Sequence, residues 1–211
     1  MYSKMVLAVA LLFASAAAHA QSSVTLFGVL DEGLNLTSNA GGHKAWQMSS
    51  VDMVTSRWGL KGSEDLGDGL QAIFDLESGF MLDNGAAYYN GRMFGYQSYA
   101  GLQSDTFGTL TFGRQFDSIT DVIGPMTANG YWGGYLFSHP LDNDNTDGTF
   151  RPNNSVKFTS IDYGGLSASA LYGFSNQAGS FAGNRMYSAG LKYSYGTFTV
   201  GAVYEIGRAH V

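Results

Sequence analysis

The chain has 211 residues with 29 Gly, 14 Phe, 13 Tyr, 3 Pro, no Cys and a formal net charge of −6. The acidic balance argues against a nucleic-acid partner, because binding phosphates requires basic surface. The lack of cysteine excludes a disulfide framework, and glycine with aromatics at this level fits strands and tight turns better than helices.

In chain order, residues 1–20 come first as a secretory signal peptide. Lys4 supplies the positive start, Met5 to Ala18 the apolar run, and Ala18-His19-Ala20 the small-x-small cleavage site. Its removal takes away one lysine and no acid, leaving a mature charge of −7. No later apolar stretch has the length of a membrane-spanning helix, so entry into a bilayer requires a closed barrel.

Strands are predicted over roughly 23–36, 45–64, 69–79, 94–104, 108–116, 155–163, 166–175, 186–195 and 197–206, with helical turns confined to the stretch between Phe116 and Phe150. The links alternate in length. Those near 64–68, 104–107, 164–165 and 196 are short; those at 37–44, 80–93, 117–154 and 176–185 are long. Such sorting fits an up-and-down meander better than a Greek-key sandwich. Aromatics near strand ends, among them Phe27, Trp46, Trp58, Tyr99, Phe107, Tyr163, Tyr193 and Tyr195, fit interfacial girdles and ordinary cross-strand pairing equally well.

The hairpin SRWGLKGSEDLGDGLQAIFDLESGF (56–80) shows the side-chain alternation most clearly. Trp58 and Leu60 share one face; Arg57, Gly59 and Lys61 share the other. Past the turn, Leu70, Ala72, Phe74 and Leu76 oppose Gln71, Asp75 and Glu77, with Ile73 the apolar exception on the polar side. A soluble sandwich reads this as core inside and water outside. A transmembrane barrel reads it as lipid outside and water inside.

SSVTLFGVLDEGL, the 56–80 hairpin and YAGLQSDTFGTLTFGRQFD together resemble the general-diffusion porins of Gram-negative bacteria, in particular the trimeric porins of beta-proteobacteria. The likeness runs from Ser22 to about Asp117 and continues more loosely through RPNNSVKFTSIDYGGLSASALYGF. The resemblance implies an all-β fold, an antiparallel up-and-down transmembrane β-barrel of sixteen strands, of which about nine are present here. It also implies a homotrimer in the outer membrane among lipid and lipopolysaccharide, passing small hydrophilic solutes and ions. No cofactor and no reaction are implied. On this reading 21–206 is the N-terminal part of the barrel, 117–154 is the constriction loop, and 207–211 is set aside as a truncation or cloning scar. The rival reading is an adhesive β-domain without a pore.

A porin selects solutes electrostatically at its constriction. The stretch 117–150 carries Asp117, Asp121, Asp142, Asp144 and Asp147 and no Lys or Arg. A link of this length is usually functional or disordered. Alternation turns Arg57 and Lys61 inward, and the resemblance makes Arg57 and Arg151 pore-lining. Arg114 shares parity with the lipid-side Leu110 and Phe112, so it reaches the lumen only if the strand bulges or ends at Gly113. Where relatives often place a basic residue, this chain has Tyr96-Gln97. The set predicts a cation preference. Asn143-Asp144-Asn145-Thr146-Asp147-Gly148 looks superficially like a calcium loop but lacks its closing Glu, and the histidines show no metal-ligand spacing.

Overall fold

A computed structural model describes residues 23–207. The signal peptide expected at 1–20 and residues 208–211 of the expected scar lie outside the described residues. Nine strands form one antiparallel sheet: β1 (Ser23–Val29), β4 (Arg57–Gly67), β5 (Leu70–Gly79), β6 (Gln97–Ser104), β7 (Gly108–Arg114), β8 (Ser155–Ser160), β9 (Leu166–Gly173), β10 (Met186–Tyr195) and β11 (Phe198–Ile206), neighbours in that order. Among the described residues, β2 (Glu32–Ala40) and β3 (His43–Ser50) pair only with each other.

The sheet therefore has the predicted number of staves, but the first two candidates, 23–36 and 45–64, each divide in two. The division has a polar cause. Asp31 accepts hydrogen bonds from the Met53 and Val54 amides at 2.7 and 3.1 Å, and its own amide donates to Ser56 Oγ at 2.8 Å. These bonds bend the chain out of the sheet, so the link expected at 37–44 becomes the tip of a projecting hairpin. Short and long connections alternate as the sequence implies. β4–β5, β6–β7, β8–β9 and β10–β11 join closely, whereas 80–96, 115–154 and 174–185 are long.

Burial is inverted relative to a soluble protein. The buried apolar residues among those described are Val122, Leu171 and Met186. The largest fully buried side chains are instead Arg151, Gln115, Asn145, Thr55 and Asp117. The outer parity of the staves exposes its apolar groups: Val24, Leu26, Trp58, Leu102, Phe112, Phe158, Leu191, Val200 and Tyr204. A water-soluble domain rarely leaves so much contiguous apolar surface. An unpartnered sheet of this kind needs lipid on that face. No helix among the described residues is long and apolar enough to cross a membrane. Phe27 and Tyr99 depart from the girdle expectation. Phe27 lies against Gly59 and under Lys61, and Tyr99 pairs with Asp75, all on the polar face.

Candidate functional site: the loop across the polar face

Residues 115–154 leave β7, cross the polar face of the sheet and return to β8. They begin with a short helix, α1 (Ser118–Val122), whose N-cap Asp117 accepts the Thr120 amide at 2.8 Å. α1 rests on β9, β10 and β11. It fits because two strand residues carry no side chain: a Cβ on Gly201 would stand 2.8 Å from a Val122 methyl, and one on Gly190 3.0 Å from the other. The Ser118 amide donates to Ser188 Oγ at 3.1 Å, and the Ser118 and Ser169 hydroxyls lie 3.1 Å apart. Helical 3-10 and π turns over Gly124–Met126, Asn129–Gly133 and Gly134–Phe137 carry the chain to the opposite side of the sheet. There the Tyr135 and Leu136 amides donate to the carbonyls of Met53 and Asp52 at 3.2 and 2.8 Å. Gly134 has φ +61°, and a Cβ on it would meet the Met53 backbone at 2.5 Å, so glycine is needed there on both counts.

The loop closes on Asn145, which is 0% exposed. Its Nδ2 donates to Asp117 Oδ2 at 2.6 Å and to the Phe150 carbonyl at 3.2 Å, and its Oδ1 accepts the Phe150 amide at 2.9 Å. One amide side chain thus ties the start of the loop to its end.

The five predicted aspartates take different places. Asp117, Asp142 and Asp147 are buried. Asp142 accepts the Asp147 and Thr149 amides at 3.1 and 2.9 Å and the Thr149 hydroxyl at 2.6 Å. Asp147 accepts Asn129 Nδ2 and the His139 amide, both at 2.9 Å. These acids act as acceptors for the loop's own donors. Asp121 pairs with Lys157 Nζ at 2.7 Å. Burial pushes the Asp121 carboxyl above the usual carboxylate range, and Lys157 opposes that shift. Asp144 has a side chain 58% exposed. Its slight burial acts upward, but hydrogen bonds from the Thr146 amide and hydroxyl outweigh it and hold Asp144 below the usual range.

The basic residues also separate. Arg57 Nε contacts Glu77 Oε2 at 2.6 Å, and its guanidinium lies 4.4 Å from the Tyr96 ring centre. Lys61 is exposed, stands across from Asp75 and lies over Phe27 at 5.0 Å. Arg151 is 1% exposed, with Tyr89, Tyr96 and Phe116 rings at 4.8, 4.2 and 4.2 Å from its guanidinium. Its Nη1 donates to the Thr149 carbonyl at 3.5 Å, its Nε and Nη2 have no hydrogen-bond partner among the described residues, and the cation–π contacts supply the further compensation for burying this charge. Arg114 ends β7 after Gly113 and donates to the carbonyls of Gly95 and Arg151 at 2.8 and 2.7 Å and to Asn153 Oδ1 at 2.9 Å. It braces the base of the loop.

Three participants escaped the sequence reading as site residues: Lys157, Glu77 and Tyr89. Strand parity carried the signal for Lys157, which lies between the outward Val156 and Phe158. No sequence pattern pointed to Tyr89, whose hydroxyl lies 2.9 Å from Thr55 Oγ1 and whose pKa burial raises.

Residues 7–211 match a model of the Gram-negative porin family. An outer membrane porin protein of Bordetella pertussis is 36% identical over 96% of this chain and 59% of its own length. Outer membrane porin protein 32 of Delftia acidovorans is 34% identical over 81% of this chain and 49% of its own. Among solved structures, the anion-selective porin from Comamonas acidovorans superposes with a TM-score of 0.71 at 26% identity, covering 85% of this chain and 56% of that one. The chain thus spans about half the length of the relatives it matches.

Proposed function

Since the chain belongs to the Gram-negative porin family, whose relatives here are outer-membrane proteins, we propose that it supplies wall and constriction loop to a water-filled channel for passive diffusion of small hydrophilic solutes and ions. The observation that carries this reading is the inverted burial: apolar side chains outward on the staves, and a hydrogen-bonded loop with its ions across the inner face. The working unit is a homotrimer seated among outer-membrane lipid and lipopolysaccharide. It performs no reaction.

We propose a preference for cations. Glu77 offsets Arg57, and Arg151 lies under aromatic rings out of solvent. Lys157 is matched by Asp121. Of the basic residues described above, that leaves Lys61, Arg114 and Arg151 without an acid in contact, against Asp75, Asp117, Asp142, Asp144 and Asp147. In a narrow pore with low-dielectric walls, an uncancelled negative charge acts over several ångströms with little screening. The sign is opposite to that of the Comamonas acidovorans porin.

The test is a chimera in which residues 115–154 replace the corresponding loop of the Delftia acidovorans porin. Reversal potential is read in planar bilayers under a salt gradient. A shift toward cations, partly undone by Asp144→Asn, is the expected result. No shift, or one toward anions, contradicts the proposal.

A further inference from the structure

His139, Asp142 and Asp144 bring three metal-ligating side chains together. One ring nitrogen and one carboxylate oxygen from each acid all lie within 4.8 Å of one another. The Pro140–Asp142 turn folds the chain back so that both acids reach the ring. Two further observations point to a cation among them. The first is an orphaned ligand atom. His139 Nε2 is shielded from solvent and has no hydrogen-bond partner among the described residues, yet it stands 3.2 Å from Asp144 Oδ1. On the other side of the ring, Nδ1 lies 2.8 Å from Asp147 Oδ2. A contact that short needs a hydrogen on Nδ1, and the neutral ring then turns the Nε2 lone pair toward the other carboxylates. Two electron-rich atoms face each other there with no hydrogen between them. A shared metal has this requirement: zinc holds nitrogen and oxygen at about 2.0–2.2 Å in a tetrahedron, which sets two ligands about 3.3–3.5 Å apart. A carboxylate behind the far nitrogen of a ligating imidazole is its usual support, because it orients the ring and makes it more basic.

The second observation is uncompensated charge. Asp142 and Asp147 are buried, and the stretch 117–150 contains no Lys or Arg. Among the described residues, no Lys or Arg forms an ion pair with Asp142, Asp144 or Asp147. Buried carboxylates are ordinarily paired or coordinate metals. The Asp147 amide and the Thr149 amide and hydroxyl fill three of the roughly four lone-pair positions of Asp142 and leave one on Oδ1. The mostly exposed Asp144 side chain can close on an ion from the solvent side. We propose that His139, Asp142 and Asp144 form a binding site for a divalent transition ion of the zinc type. One nitrogen and two carboxylate oxygens leave the fourth tetrahedral position to water. The imidazole favours zinc over calcium, which takes about six to eight oxygens. Where 115–154 lines a channel, an ion bound here also cancels part of the negative charge that selects cations. The site itself does not depend on that reading.

Isothermal titration calorimetry of the chain in detergent micelles, with Zn2+ alone in a non-chelating buffer, tests the site without reference to conduction. One saturable site per chain is expected. His139→Gln and Asp144→Asn, at side chains that reach solvent, are each expected to weaken Zn2+ binding about tenfold or more. Replacing the other histidines, His19, His43 and His210, together by glutamine should leave it unchanged. A second readout is hydrogen exchange of the His139, Asp147 and Thr149 amides, which donate to Asp147 and Asp142. Zn2+ is expected to slow their exchange severalfold in the wild type and not in His139→Gln. Three results overturn the proposal: no saturable site in the wild type; binding that survives His139→Gln and Asp144→Asn, which marks an adventitious ion only; and equal displacement of Zn2+ by Ca2+ at the same concentration.

Discussion

The staves and the loop are stabilised by opposite means. In the sheet, apolar side chains point away from the protein and hydrogen bonds run between neighbouring strands in regular register. In the loop, side-chain amides, hydroxyls and carboxylates are buried and knit a backbone that has no ladder of its own. The sheet tolerates changes of side chain that keep parity. The loop depends on individual polar atoms, because a buried donor or acceptor that loses its partner bears its full desolvation penalty.

The contrast is sharpest under substitution. Leu191→Lys, on the outward face of β10, is expected to destabilise the lipid-embedded protein by about 2–4 kcal/mol. The same change on a water-facing surface is worth about 0.5 kcal/mol or less. Urea titration in phospholipid vesicles separates the two, and a near-neutral result breaks the lipid-facing assignment.

A somewhat smaller effect is expected in the loop. Asn145→Ala leaves the Asp117 carboxylate and the Phe150 amide without their partner, a loss of about 1–3 kcal/mol. It should speed proteolysis within 118–150 while the strand circular dichroism is unchanged. Equal loss of strand signal would show that loop and sheet are one cooperative unit. Gly201→Ala probes the seam between them. Its methyl would press on Val122 and Met126, overpacking that costs about 1 kcal/mol, and Val122→Ala is expected to relieve it in a double-mutant cycle.

The smallest expected effect concerns acid. Asp144 is held below the usual carboxylate range. Its contribution to loop order is therefore present above that range and lost as pH falls through its own lowered value. Hydrogen-exchange protection of the Thr146 amide, which donates to Asp144, should decline below about pH 4, and Asp144→Asn should remove that decline.

The same contrast decides what the sequence made legible. Period-two alternation displayed the staves, their faces and even the inward Arg57, because a strand has only two sides. It missed the breaks at Leu30-Asp31 and at 51–56, where the carboxylate of Asp31 reaches amides more than twenty residues away. In the loop, composition displayed five acids but could not separate the exposed Asp144 from the buried Asp117, Asp142 and Asp147. Their partners are local turn donors and two asparagines, Asn129 and Asn145, with no period to read. Arg151 illustrates the same limit. The family resemblance marks it as a cation at the pore, whereas its burial among Tyr89, Tyr96 and Phe116 follows from three separate segments meeting.

All of these expectations require one face of the sheet to meet lipid and the other to meet water. The 211 residues contain no cysteine, so single cysteines can be placed along β5 without background from them. In phospholipid bilayers, Gln71→Cys and Ile73→Cys should react with a charged, water-soluble thiol reagent, while Ala72→Cys and Phe74→Cys should be protected. A strict period of two in labelling is the predicted result. Uniform labelling along β5, or protection at 71 and 73 with reaction at 72 and 74, would contradict it.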